Sequence, residues 1–243
     1  SGGTESSGIS RFLHNESNAM KQGIDNRISA ANFRNYSDAK AVHYWSTYSE
    51  ELLTAERVIL QRIRGKIQGK KILDLGVGGG RTTPALLEIS QDYIGMDYSS
   101  GMVEACRIKF PGIQFMQGDA RQISALVKDQ FSLVLFSLNG IDYVAHQDRQ
   151  KIYSEVAKVL QPGAFFLFSS HNLRDYPNKP WQKWHIDRNS ITASARSLYY
   201  SLKSTLTCIR HYRNQAIYDG HAMLLDPGQG YRLLSYYIDP QEQ

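Results

Sequence analysis

Short apolar runs alternate with helix-periodic stretches along the middle of the chain, and this alternation constrains the fold more than any other feature of the sequence. The runs Ile72–Leu75 and Tyr93–Met96 are separated by the helical stretch Thr83–Ile89, and the alternation continues as far as Phe168. A chain of this kind folds as a mostly parallel sheet with helices on both faces. The run Leu133–Phe136 contains no polar residue, which is typical of a central strand. We therefore predict an α/β fold built on a doubly wound sheet.

The regions on either side of this alternating segment predict a tail, a lid and a cap. Residues 1–36 are expected to form a flexible tail, because they begin with a serine- and glycine-rich stretch and include a segment that resembles a vector-derived tag. Over residues 37–64 the apolar residues recur at helical spacing, which predicts a lid helix that ends at Gly65. We expect the sheet domain with its lid to occupy residues 37–170 and the cap to occupy residues 171–243.

The cap has signals of its own. An apolar stripe of helical period over residues 191–209 predicts an amphipathic helix. Two apolar runs flank residues 226–230, where an Asp-Pro-Gly sequence suits a type II turn, so we predict a hairpin. Residues 237–243 contain an Asp-Pro pair that predicts the first turn of a further helix, which the chain does not complete.

Composition excludes several classes of protein. Lys and Arg number 28 against 23 Asp and Glu, and a net charge of +5 over 243 residues is weak support for nucleic-acid binding. No stretch approaches the roughly 18 uncharged apolar residues of a membrane span, so no membrane partner is expected. Two cysteines, Cys106 and Cys208, cannot form a disulfide framework or a four-ligand zinc site. With no apolar secretory segment at the N-terminus, we expect a cytoplasmic location.

The segment Lys71–Thr83 joins an apolar strand to a helix through a glycine-rich turn. Glycines allow the backbone to approach a ligand closely, and amides at the next helix start can hold an anionic group. A phosphate-binding P-loop requires lysine where Arg81 stands, and a dinucleotide fingerprint starting at Gly76 requires glycine at that same position. A glycine-rich turn without any ligand is the plain structural alternative.

A further pattern, Asp-x-Gly-x-Gly-x-Gly, fits residues 74–80 at every position. In this motif the sequence resembles the class I S-adenosylmethionine-dependent methyltransferases, and the resemblance extends over residues 37–238. It implies a Rossmann-like fold with an N-terminal helical lid. It also implies S-adenosylmethionine as the cofactor, S-adenosylhomocysteine as the product, and an acceptor bound by the cap.

Acidic residues follow the first three strands of this fold. Asp97 ends the second strand, where a carboxylate can accept both hydroxyls of a ribose, and the resemblance implies that Asp119 contacts the adenine. Taken alone, either is more often a helix cap or a turn residue. Together with Asp74 they lie at the edge where open α/β sheets bind ligands. The cofactor-binding candidates are Tyr36, Tyr44, Asp74, Gly76, Val77, Gly78, Arg81, Asp97, Tyr98, Met102, Asp119, Ala120, Ser137 and Asn139.

A methyl group on a sulfonium is already activated, so a base is needed only when the acceptor carries a proton. His171, directly after the fifth strand, is the base candidate, and a loop or capping histidine is its alternative. Arg81 either meets the cofactor carboxylate or is a solvated arginine of the first helical turn. Tyr44 lies about 100° around the helix from Trp45 and so faces the pocket with Tyr36, as the resemblance implies. No cluster of His, Asp, Glu or Cys has metal-ligand spacing, so no metal is expected.

The expected function is methyl transfer to a small or medium-sized acceptor. Side chains of the cap such as Trp181, Tyr199 and Arg210 suit an aromatic or anionic acceptor. The alternatives are a non-catalytic S-adenosylmethionine-binding scaffold, an RNA methyltransferase and a nicotinamide-dependent oxidoreductase, the last disfavoured by Arg81. Motifs of enzymes that methylate nucleobases are absent, which disfavours a nucleic acid as the acceptor. The incomplete C-terminal element predicts an unpaired sheet edge, which leaves a homodimer open.

Overall fold

A five-stranded, wholly parallel sheet forms the centre of the computed structural model, which describes residues 29–47, 51–176 and 191–242. Its strands are β1 (Ile72–Leu75), β2 (Tyr93–Asp97), β3 (Gln114–Gln117), β4 (Phe131–Phe136) and β5 (Leu160–Phe168). The strand order is β3-β2-β1-β4-β5, and all four pairings are parallel. Because the order reverses between β1 and β4, a crevice opens at the carboxyl ends of these two strands.

Helices cover both faces of this sheet, as the sequence predicts. The described helices are α1 (residues 29–37), α2 (Ala39–Thr47), α3 (Thr54–Ile67), α4 (Thr83–Leu87), α5 (Ser100–Lys109), α6 (Ile123–Leu126), α7 (His146–Val159) and α8 (Ile191–His211). Neighbouring residues of a strand point to opposite faces. Ile72 accordingly joins the apolar cluster that contains Leu60 of α3, and Leu73 joins the cluster that contains Ile152 of α7. The Rossmann-like, doubly wound fold is thus confirmed.

A second, four-stranded sheet follows β5. Its strands are β6 (His171–Asn172), β7 (Ala216–Ile217), β8 (His221–Leu225) and β9 (Leu234–Ile238), in the order β6-β9-β8-β7. Strands β8 and β9 pair antiparallel along their whole length, which confirms the predicted hairpin. One face of this sheet buries Met223 and Tyr236 in a cluster against which Cys208 of α8 packs. The antiparallel pair therefore lies in a sheet of its own rather than on the edge of the parallel sheet.

The N-terminal boundaries differ from those predicted. Residues 29–37 are helical, so the predicted tail does not extend to residue 36, and its first 28 residues lie outside the described part. Asn32 of α1 is buried and donates hydrogen bonds to the carbonyls of Tyr143 and Leu234. The single predicted lid helix is wrong: α2 and α3 are separate, and α3 continues through Gly65. A glycine inside a helix costs about 1 kcal/mol, which the burial of Ile67 beyond it offsets.

Two predictions for turns in the cap are wrong. A type II turn needs a positive φ at Gly228, but the left-handed residues are Gly230 and Tyr231 instead. The Asp226 carboxylate accepts the Gly228 amide at 2.7 Å and so sets the turn. After β9 the chain forms a turn rather than a helix, in which the Asp239 carbonyl accepts the Glu242 amide.

A buried ion pair joins the two sheets. Asp142, after β4, and Arg149, on α7, are 0% and 1% exposed, and the guanidinium donates to the carboxylate. The same carboxylate accepts the Ser170 hydroxyl at 2.8 Å and the His171 amide at 2.7 Å. The guanidinium also lies over the Tyr236 ring of β9, 4.7 Å from its centroid. One charged pair therefore connects β4, α7 and the second sheet.

We expect Arg149→Met to lower the free energy of unfolding by about 3–5 kcal/mol, because it leaves the Asp142 carboxylate buried without its cation. Adding Asp142→Asn to this variant removes the unpaired charge and should recover part of the loss. Urea unfolding followed by circular dichroism measures both, and Arg62→Met, on the exposed face of α3, is the matched control. An Arg149→Met variant as stable as this control would contradict the role given to the pair.

Candidate functional site

A cavity of about 780 Å³ opens at the carboxyl ends of the parallel strands. This volume lies within the roughly 300–1,000 Å³ of ordinary small-molecule sites. The predicted residues that line it are Tyr36, Tyr44, Gly76, Val77, Gly78, Arg81, Asp97, Tyr98, Met102, Ala120, Ser137, Asn139 and His171. Asp74 and Asp119 are the two predicted residues that do not. Most of the predicted site residues are therefore brought together around one space.

The glycine loop forms the floor of the cavity and is closed from above by α2. Gly78 has a φ of +53°, a left-handed conformation that favours glycine, and its amide donates to the Asp97 carboxylate at 3.0 Å. A Cβ atom at Gly79 would lie 2.0 Å from the Trp45 carbonyl oxygen. Glycine is therefore required at this position for α2 to rest on the loop, as expected of a lid.

Asp97 presents a fixed carboxylate to the cavity. One oxygen accepts the Ser99 amide at 2.9 Å and the other accepts the Gly78 amide, so each keeps a lone pair for a further donor. Burial raises the pKa of this carboxyl to about 6, although the amide hydrogen bonds oppose the shift. Two acceptor oxygens held side by side at a strand end suit a pair of neighbouring hydroxyl groups.

Asp74 lies beneath the loop instead of in the cavity. Its carboxylate accepts the Thr82 hydroxyl and, at 2.9 Å, the Tyr93 hydroxyl, while its second oxygen has no hydrogen-bond partner among the described residues. Burial raises its pKa to about 7. Asp74 therefore connects the end of β1 to the start of α4 and supports the glycine loop from below.

Arg81 is not the solvated arginine of the second alternative, because its side chain is 9% exposed, and its contact with the cofactor carboxylate stays a prediction. Its guanidinium donates to both oxygens of Glu56, at 2.8 and 2.9 Å, and to the Ser137 hydroxyl. Burial alone would raise the pKa of Glu56, but hydrogen bonds from Arg81 and Ser137 hold it below its usual value. No motif in the sequence selects Glu56 as a site residue. Its carboxylate also accepts the Leu53 amide at the start of α3. This pair fixes α3 against the loop.

The Asp119 carboxylate is hydrogen-bonded to Arg121. Its carboxylate accepts the Arg121 amide at 2.8 Å and two side-chain N–H groups of the same arginine. Burial opposes ionisation, but these contacts lower the pKa of Asp119. Gly118 and Ala120 line the cavity on either side of it. The adenine contact assigned to Asp119 stays a prediction, and its carboxylate in this structure caps a short helical turn.

The opposite wall carries His171 and several tyrosines. His171 Nδ1 lies 2.9 Å from an Asp142 oxygen, outside hydrogen-bond alignment, and its ring stacks on Tyr237 with centroids 4.8 Å apart. Tyr36 packs edge-on against Tyr143 at 4.9 Å. Burial raises the pKa of the Tyr36 hydroxyl far above its usual value, and the neighbouring Tyr143 hydroxyl adds to the shift. A buried hydroxyl at the cavity is a polar group suited to a ligand.

The hairpin turn between β8 and β9 also lines the cavity, which the sequence did not predict. Asp226 accepts the Tyr143 hydroxyl at 3.0 Å, and Gln229 and Arg232 lie beside it on the cavity wall. Tyr199 and Arg210, predicted to face the acceptor, lie on α8 and do not line the cavity, and Trp181 lies outside the described residues. Within the described ranges, no three His, Cys, Asp or Glu side chains are grouped as metal ligands.

Comparison with known proteins identifies the central part of the chain. Residues 72–163 match the sequence model of a family described as a methyltransferase domain. A probable S-adenosylmethionine-dependent methyltransferase of Mycolicibacterium smegmatis is 24% identical over 155 residues, which cover 61% of this chain and 59% of that protein. A fatty-acid O-methyltransferase of the same organism is 26% identical over 147 residues, covering 56% and 49%.

The chain spans about half the length of these curated relatives. Among solved structures, the sugar N-methyltransferase KedS8 from a Streptoalloteichus species aligns with a TM-score of 0.47 and 20% identity over 52% of each chain.

We expect the folded protein to lose stability as the pH rises towards 7. Asp74 ionises with a pKa of about 7 when folded but at about pH 4 in an unfolded chain. Between these values the folded state holds one more proton, so its free energy of unfolding falls with rising pH, by a few kcal/mol in all. Urea unfolding at several pH values should show a smaller decrease in Asp74→Asn, with Asp97 responsible for the decrease that remains below about pH 6. An unchanged slope in that variant would contradict the pKa given to Asp74.

Proposed function

We infer that the chain, whose residues 72–163 match a methyltransferase-domain family, is a class I S-adenosylmethionine-dependent methyltransferase, and we propose that it transfers a methyl group from S-adenosylmethionine to a small or medium-sized acceptor. The observation that carries the proposal is a single cavity with the Asp97 carboxylate and the glycine loop on one side and His171 on the other. A cofactor and an acceptor can thereby share one enclosed space, as an in-line displacement requires.

The donors and acceptors around the cavity fit the proposed cofactor. Asp97 would hold the ribose hydroxyls, residues 76–80 would hold the methionine part, and Ala120 would contact the adenine. The buried Tyr36 hydroxyl would supply a polar contact near the methionine part. Because Glu56 already neutralises Arg81, we assign this arginine to shaping the site and not to pairing with the cofactor carboxylate. That arginine also occupies the position where a dinucleotide-binding loop has glycine.

When bound, S-adenosylmethionine supplies a methyl group that its sulfonium charge has already activated. The chain's own task is to align the acceptor and to exclude water, and α2, which contacts the loop at Gly79, would serve this second task. For an acceptor that carries a proton, His171 would accept that proton at Nε2, because Nδ1 faces Asp142. Asp142 and the Tyr237 ring hold the imidazole in place, so we assign them positioning roles.

Thermal unfolding with S-adenosylmethionine, S-adenosylhomocysteine and NAD tests the proposal directly. With a Kd on the order of 10 μM, about 1 mM of either sulfur ligand stabilises the fold by roughly 2.7 kcal/mol. For a chain of this length the Tm should rise by about 5–11 °C, and NAD should leave it unchanged. Turnover is then measured on an acceptor panel that includes a fatty acid, the acceptor class in the name of one relative. A shift with NAD alone would refute the proposal.

Asp97→Ala should weaken S-adenosylmethionine binding by at least about 30-fold, because two hydrogen bonds to a charged acceptor are lost. Isothermal titration calorimetry measures the affinity, and circular dichroism checks that the variant is folded. Glu104→Ala, on the exposed side of α5, is the matched carboxylate control and should bind as the unsubstituted protein does. Equal affinities in all three proteins would refute the ribose assignment.

His171→Ala should lower the rate of methyl transfer and leave cofactor binding intact, whereas Asp97→Ala should weaken cofactor binding. For an acceptor that carries a proton at neutral pH, we expect kcat to fall by about 10²–10⁴-fold while cofactor affinity stays within twofold. Steady-state methyl transfer and calorimetry on the same preparations separate the two quantities. If kcat were unchanged with such an acceptor, His171 would be a structural residue.

A further inference from the structure

Helix α8 turns its apolar stripe away from the protein. Leu198, Leu202, Leu206 and Ile209 are 43%, 57%, 68% and 68% exposed. Their spacing of four, four and three residues places them along one face of the helix. An amphipathic helix ordinarily packs such a stripe on the core, so these side chains require a different explanation.

The face of α8 that packs inward is made of small side chains. Ser201 is 8% exposed, and Cys208 packs against the apolar cluster of β8 and β9. The Thr205 hydroxyl donates to the Ser201 carbonyl within the helix. The polarity of α8 is therefore the reverse of that of an ordinary surface helix: serine, threonine and cysteine face the protein, and leucine and isoleucine face outward.

A row of cations runs beside the stripe. Arg196, Lys203 and Arg210 recur at intervals of seven residues, which keeps them on one side of the helix. Over its whole length α8 contains no Asp or Glu. Exposed Tyr199 stands next to this row, with the Lys203 ammonium 5.9 Å from its ring centroid. The apolar stripe, Tyr199 and the row of cations therefore lie side by side around the helix.

We propose that α8 docks this protein onto the surface of an anionic lipid bilayer. In that arrangement the leucine stripe enters the boundary between headgroups and acyl chains, and the three cations meet lipid phosphates. Tyrosine suits the same boundary, because its ring is apolar and its hydroxyl is polar. The inference goes beyond methyl transfer and does not depend on it.

Charge distinguishes a bilayer from the other possible occupants of this face. A second copy of the chain, packed by the same face, would bring no acidic side chain to the cations, because α8 contains none. Residues 1–28 of this chain contain three acidic and three basic residues, so they offer no net negative charge. An anionic lipid surface supplies both an apolar layer and a dense layer of negative charge.

The proposal revises the expectation that the protein has no membrane partner. That expectation followed from the absence of a spanning segment, and in the described ranges no helix has the length and apolar content to cross a bilayer. A helix that lies in the interface between bilayer and water needs only an apolar stripe with charged residues beside it.

Co-sedimentation of the full chain with phospholipid vesicles tests the proposal. We expect binding to vesicles of phosphatidylcholine with about 30% phosphatidylglycerol, and much weaker binding to phosphatidylcholine alone or at about 1 M salt. Leu202→Glu with Leu206→Glu should weaken binding by at least about a hundredfold. Lys203→Gln with Arg210→Gln should weaken it by about thirtyfold on the anionic vesicles.

The matched control is Ile108→Glu, which places the same charge at an apolar residue of α5 that is 75% exposed. It should bind vesicles as the unsubstituted chain does, and thermal melting should show all variants folded, because the substituted side chains face outward. The proposal is overturned if the unsubstituted chain stays in the supernatant, or if the α8 variants bind as well as the control. It is also overturned if light scattering shows a dimer that the leucine substitutions dissociate, which would assign this face to a second copy.

Discussion

The buried pair of Asp142 and Arg149 holds the two sheets together, and the wall of the cavity depends on it. A pair removed from water is stabilised by further hydrogen bonds to its donors and acceptors. Here the carboxylate accepts the Ser170 hydroxyl and the His171 amide, and the guanidinium donates to the Ser170 hydroxyl oxygen and lies over the Tyr236 ring, while its Nε has no hydrogen-bond partner among the described residues. Because the Asp142 carboxylate also holds the first residue of β6, the core of the molecule fixes the position of His171.

The parallel sheet and the glycine loop could be predicted because their signals are local. Each β–α unit shows its periodicity within about 20 residues, and the spacing of residues 74–80 specifies a loop that only glycine can form. Since the carboxyl ends of parallel strands meet at one edge, the sequence predicts that Asp97, Ala120, Ser137 and His171 lie together. The structure places all four on one cavity.

Contacts between distant segments gave no such signal. Glu56 and Arg81 are 25 residues apart, and Tyr143 and Asp226 are 83 apart, so no local pattern predicts that either pair meets. The local errors have a related cause. At Gly228 a side-chain hydrogen bond from Asp226 decided the turn, and at the end of α3 the burial of Ile67 outweighed the helix-stopping tendency of glycine. In each case a contact overrode the propensity of the residue.

Helix α8 shows a further limit of periodicity, which identifies an apolar stripe but not which side of the helix faces the protein. That choice was made by the second sheet, where a cluster containing Met223 and Leu225 accepts the small Cys208 side chain and leaves the leucines outside. Strand β8 leads from this cluster directly into the turn where Asp226 receives the Tyr143 hydroxyl at the cavity. The hairpin therefore contacts both the cavity wall and the helix that we propose meets the bilayer.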